Sequence, residues 1–156
     1  MSAAFRYSDI DACIQLPRAT VAELMSRNVL CVRPELSLDA LANLFEQTGW
    51  HAAAVVNERD QTLVVLDERT VLRALQHGDV RGTPTRERSV AELIERDAIT
   101  VQEHLPATQA AGLMVYEAVE RVAVVSGTGK VVGVLSAADL LRWVARSDGH
   151  VVPECS

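Results

Sequence analysis

The sequence predicts an α/β protein made of two tandem copies of one β-α-β-β-α unit. Two observations carry this: an internal repeat at a fixed offset, and a switch of apolar period that occurs in the same order within each copy. Shifting the chain by 69 residues lays 20–78 on 89–147 without a gap. Val21-Ala22-Glu23-Leu24 then meets Val90-Ala91-Glu92-Leu93, and Ala54-Val55-Val56 meets Ala123-Val124-Val125. Further along, Val65-Leu66 and Leu72-Arg73 meet Val134-Leu135 and Leu141-Arg142.

Each copy opens with a short helix, at 21–25 and 90–94, followed by a brief extended piece at 30–33 and 99–102. An amphipathic helix comes next. In the first copy Ser37 is its N-cap, and Leu38, Leu41, Ala42, Leu44 and Phe45 form the apolar stripe. In the second, Pro106 suits the first helical position and Ala110, Leu113 and Met114 continue the stripe. Two strands follow, at 52–56 and 63–66 in one copy and at 121–125 and 131–135 in the other. Asn57-Glu58-Arg59-Asp60 and Ser126-Gly127-Thr128-Gly129 are the turns between them. A final helix starts from Asp67 in the first copy and Ser136 in the second. Residues 79–88, rich in Gly, Thr, Pro and charge, read as the linker, with an N-terminal extension at 1–19 and a tail at 148–156. Neither copy alone covers both faces of its small sheet.

Composition narrows the function classes. With 156 residues and 49% apolar content the chain can bury a real core. No apolar run is long enough for a membrane span, and the start lacks the order of a signal peptide, so a cytoplasmic location is expected. A net charge of −6 argues against a nucleic-acid partner, whereas a small anion needs only local cations and helix N-termini. Cys13, Cys31 and Cys155 are scattered, which makes disulfides and zinc poor expectations. His51, His77, His104 and His150 share no metal-ligand spacing and no catalytic partner. Ser126-Gly127-Thr128-Gly129-Lys130 lacks the spacing of a phosphate loop and lies between two strands. No nucleophile with an adjacent base, carboxylate pair or metal set stands at usable spacing, so the chain is not expected to be an enzyme.

The order of elements, VAEL at the start of each copy and GVLSAADLL at the end of the second, resembles a tandem pair of cystathionine-β-synthase (CBS) domains over residues 20–147. The resemblance implies an α/β disc with a pseudo-two-fold axis, commonly a homodimer. It also implies an adenosine derivative (AMP, ADP, ATP or S-adenosylmethionine) bound between the repeats, with regulation rather than chemistry as the output. No fused output domain is expected, so an unknown protein effector is expected to be acted on in trans. The competing expectation is a scaffold that kept the fold and lost the ligand.

In the family, residues matching Ser136 and Asp139 hold the phosphate and ribose of the ligand. An ionised Asp139 offers only acceptors, which suits ribose hydroxyls, and the Ser136 hydroxyl beside unpaired helix N–H groups suits phosphate. Gly133 removes a side chain where a ligand would approach closely. The same residues also read as a capping box, and Asp139 as solvated surface. Thr100 lies in the extended piece that borders the adenine in the family, but a β-branched residue also favours a strand. Arg121 opens a strand where related sequences place a base facing the phosphates; an exposed strand-edge arginine is the alternative.

The first copy departs at every such position. Val64 replaces the glycine, Asp67 the serine, Thr70 the aspartate, Ala52 the arginine and Cys31 the threonine. Asp67 keeps the helix capped but puts a carboxylate where a phosphate would go. One competent nucleotide cleft is therefore expected, that of the second copy, with the first degenerate or selective for something less anionic. Cys31 reads as a small apolar filler, with redox sensitivity as the alternative if it is exposed.

Overall fold

Small and β-branched residues in the middle of each repeat form strands that are buried on both faces. The computed structural model describes residues 18–76, 82, 84–95 and 98–147. Residues 1–17 of the N-terminal extension, the C-terminal tail, His77, His150, Cys13 and Cys155 lie outside the described residues. The first repeat contains α1 (Val21–Leu24), β1 (Val29–Val32), α2 (Leu38–Thr48), β2 (Ala52–Val56), β3 (Thr62–Asp67) and α3 (Glu68–Leu75). The 3-10 turn Thr85–Glu87 leads to the second repeat, which opens with a second 3-10 turn, Val90–Leu93. That repeat contains β4 (Thr100–Gln102), α4 (Ala107–Glu117), β5 (Arg121–Val125), β6 (Val131–Ser136) and α5 (Ala137–Ser147).

Each repeat supplies one three-stranded sheet, in the orders β1-β2-β3 and β4-β5-β6. The first pair in each sheet is parallel, because a helix returns the chain, and the second is antiparallel across a hairpin. Both hairpins carry a register shift at the same repeat position, between Val55 and Val56 and between Val124 and Val125. Local chemistry sets the ends of the helices. Ser37 accepts from the Ala40 N–H at 3.1 Å, and Gly49 closes α2 at φ 66°, a left-handed conformation that glycine adopts without a Cβ penalty.

Two local expectations need correction. The segment expected as a helix at 90–94 is a 3-10 turn, with the Glu92 N–H bonded to the Ser89 carbonyl and the Ile94 N–H to that of Ala91. Pro106 precedes α4 instead of opening it, because its backbone stays extended at ψ 137°.

The opening turns are exchanged between the repeats. Val21 is fully buried in the core of the second repeat, beside Val122, Leu135 and Trp143. Val90 is equally buried in the core of the first, beside Leu41, Val55 and Leu66. Matching backbone bonds fix both crossings. The Val21 N–H donates to the Leu105 carbonyl at 2.9 Å and the Val90 N–H to the Leu36 carbonyl at 2.8 Å. Neither repeat completes its core without the other, so burial of apolar surface holds the two together.

Candidate functional site

Both antiparallel hairpins end where a helix begins, at Asp67 before α3 and at Ser136 before α5. Ser136 and Asp139 form a reciprocal cap. The Ser136 N–H donates to Asp139 Oδ2 at 2.9 Å, and the Asp139 N–H donates to Ser136 Oγ at 3.1 Å. Arg142 adds a bond to Asp139 Oδ1 at 3.1 Å. The Asp139 side chain is only 13% exposed, which sets aside the solvated-surface alternative.

Gly133 has its own structural reason. A Cβ there would lie 2.7 Å from both the Met25 sulfur and the Ser26 carbonyl oxygen. Ser26 and Val134 form an antiparallel bridge, each N–H bonded to the other's carbonyl at 2.9 Å. The close approach that Gly133 admits is thus that of the chain's own segment after α1. In the first repeat Val64 holds the equivalent place, and the equivalent residues Glu95 and Val65 make no such bridge among the described residues.

At the first repeat the cap is a carboxylate. Thr70 donates both its backbone N–H and its hydroxyl to Asp67 Oδ1, each at 2.7 Å. The Arg121 guanidinium bonds Asp67 Oδ2 from the other repeat. Burial pushes the Asp67 carboxyl up, but the two Thr70 bonds and the Arg121 charge outweigh it, and the group lies below its ordinary range. Beside this pair is a cleft of about 380 Å³ with walls from both repeats. Val64, Thr70 and Arg73 line one side; Ile99, Val119 and Glu120 line the other.

The five residues expected to share one cleft are therefore divided. Ser136 and Asp139 are joined directly, and Gly133 lies under Met25 and Ser26. Arg121 starts the central strand of its sheet, not an edge. It is in register with Ser136, so the two share a face, yet its charge is spent on Asp67. Thr100 is exposed on the edge strand β4; its neighbours Ala98 and Ile99 line the Asp67 cleft. The division follows from the two repeats facing each other, which places elements of one beside helix starts of the other. A signal was present in the sequence: an acid replaces Ser136 at position 67, and an arginine replaces Ala52 at position 121. That complementary exchange marks a contact between repeats. The roles of Met25 and Ser26 left no such mark.

Other candidates contribute little chemistry. His51 Nδ1 lies 2.9 Å from Glu68 Oε1 on the surface, and His104 is exposed near Glu103. Among the described residues no group of three His, Cys, Asp or Glu is placed to hold a metal ion. No described helix is long and apolar enough to cross a membrane.

The family model of the CBS domain matches the chain twice, at residues 21–77 and 90–146. The chain belongs to the CBS domain family. A relative by sequence, an uncharacterized protein of Methanopyrus kandleri, is 26% identical over 129 residues, covering 79% of this chain and 61% of its own length. The chain thus spans less than two thirds of that relative. Solved CBS structures share the fold. The CBS domain pair of protein MJ0100, in complex with 5′-methylthioadenosine and S-adenosyl-L-methionine, superposes with a TM-score of 0.66 at 20% identity, over 81% of this chain and 95% of that one. CBSX2 in complex with AMP gives 0.62 at 20% identity, over 81% and 96%.

Proposed function

We propose that this CBS pair is a cytoplasmic regulatory module that binds an adenosine derivative between its repeats and acts on a partner protein in trans. The observation that carries the reading is that the family extends through both repeats while the cleft beside Asp67 draws its walls from both. A ligand between the repeats interacts with each, so its affinity depends on their packing and its binding feeds back on that packing. The fold relatives hold AMP, S-adenosylmethionine and methylthioadenosine, which supports adenosine as the common part. ADP and ATP belong to the same class.

In this reading Asp139 uses its remaining lone pairs on ribose hydroxyls, and Ser136 and the start of α5 face a phosphate. Arg121 shares a face with Ser136 and reaches that phosphate only by releasing Asp67, and Thr100 borders the base. The ligand leaves chemically unchanged. A homodimer forms through α3 and α5, whose repeat-equivalent Leu72 and Leu141 are 60% and 69% exposed.

A thermal-shift series with AMP, ADP, ATP and S-adenosylmethionine tests the reading. Ligand at about a hundred times its dissociation constant adds roughly 2.7 kcal/mol and raises the midpoint by several degrees. Ser136→Ala and Asp139→Ala should remove that rise. A scaffold without a ligand predicts no rise at millimolar concentration, and the self-satisfied Ser136–Asp139 cap is the observation in its favour.

A further inference from the structure

We infer that the cleft at the first repeat selects a phosphate-free ligand, an uncharged nucleoside or nucleoside thioether, because Asp67 stands in it as a built-in anion. The inference rests on the adenosine reading above and assigns the ligand class of this one cleft. A phosphate at the start of α3 would need the Thr70 N–H, the Thr70 hydroxyl and a nearby cation. All three are already bonded to Asp67. Displacing the carboxylate would leave it partly buried without a partner, since its side chain is only 16% exposed. Leaving it in place would set two anions side by side in a partly dry cleft.

The remaining charges do not restore a phosphate site. Arg73 and Glu120 lie on opposite walls with opposite charges, and both are exposed, where solvent and salt screen them, so neither adds a firm phosphate contact. What the cleft does offer is apolar wall from Val64, Ile99 and Val119, suited to the face of a base. Val64 also keeps that space open. Gly133 lets Met25 and Ser26 close on β6, whereas the valine at the equivalent place carries the Cβ that such an approach forbids.

The experiment is an NMR titration of methyl-labelled full-length protein with adenosine and, separately, with AMP. The Val64 and Ile99 methyls report the first cleft; the Met25 and Val134 methyls report the Ser136–Asp139 side. In the wild type, adenosine should half-saturate the Val64 and Ile99 shifts at a concentration about tenfold or more below AMP, the scale of one charge-assisted bond. Asp67→Ser keeps an N-cap, frees Arg121 and should bring the AMP midpoint down about tenfold. AMP matching adenosine at these methyls in the wild type, an unchanged ratio in Asp67→Ser, or no response to adenosine would each overturn the inference. Shifts confined to Met25 and Val134 would also overturn it while leaving the proposed function standing.

Discussion

Arg121 begins β5 in register with Ser136 of its own sheet, but its guanidinium is bonded to Asp67 of the other repeat. This pair and the Ser26–Val134 bridge tie the repeats together near the two helix starts. Replacing Asp67 with asparagine keeps an acceptor for Thr70 and removes the ion pair. Stability at pH 7 should fall by about 1.5–3 kcal/mol in urea titrations, the range of a hydrogen bond to a charged group. The wild-type carboxyl is held below its ordinary range, so its contribution is present above the pKa of the unfolded chain and is lost as pH falls through the folded value. The gap between wild type and Asp67→Asn should therefore close in acid; a gap independent of pH would contradict the pairing.

Gly133→Ala places a methyl 2.7 Å from a backbone oxygen that belongs to a fixed bridge. Ser26 must move away from Val134, at a cost of about 1–3 kcal/mol. Hydrogen exchange at the Ser26 and Val134 amides should accelerate in the variant. Unchanged protection would show that the segment after α1 does not depend on the glycine.

Leu72 and Leu141 occupy equivalent places on α3 and α5 and expose most of their surface. Sedimentation should show a homodimer for the wild type and monomer for Leu72→Glu with Leu141→Glu. A monomeric wild type would remove these helices from the interface.

Cys31 is exposed on β1, so the filler role expected of it does not hold. Partial burial of its sulfur, then the Asp60 carboxylate, push the thiol up, with Arg33 opposing. Little thiolate is present at neutral pH, and alkylation followed by peptide mass spectrometry should be slow at pH 7 and quicken as pH rises. Asp60→Asn, which suits the positive φ of 59° at that position, should speed it modestly. Fast alkylation at pH 7 would contradict the raised thiol.

The fold was legible because period and repeat are properties of side-chain order. Each run that alternates or stays apolar, such as Ala52–Val56 and Arg121–Val125, became the expected strand. What a single repeat could not reveal is which repeat its ends pack against. Val21 and Val90 have the same neighbours in sequence whether they join their own core or the other one. The cap at Ser136 and Asp139 was readable from its spacing alone, since such bonds are local. The Arg121–Asp67 pair spans 54 positions, and only the charge exchange at equivalent places pointed to it.

Calorimetric titration of wild type and Asp139→Ala with AMP and with S-adenosylmethionine tests the central claim most directly. The account predicts saturable heat for at least one ligand in the wild type, its loss in an Asp139→Ala protein that still folds, and recovery of the ligand intact. No saturable heat with either ligand at millimolar concentration, or equal affinity in the variant, would contradict it.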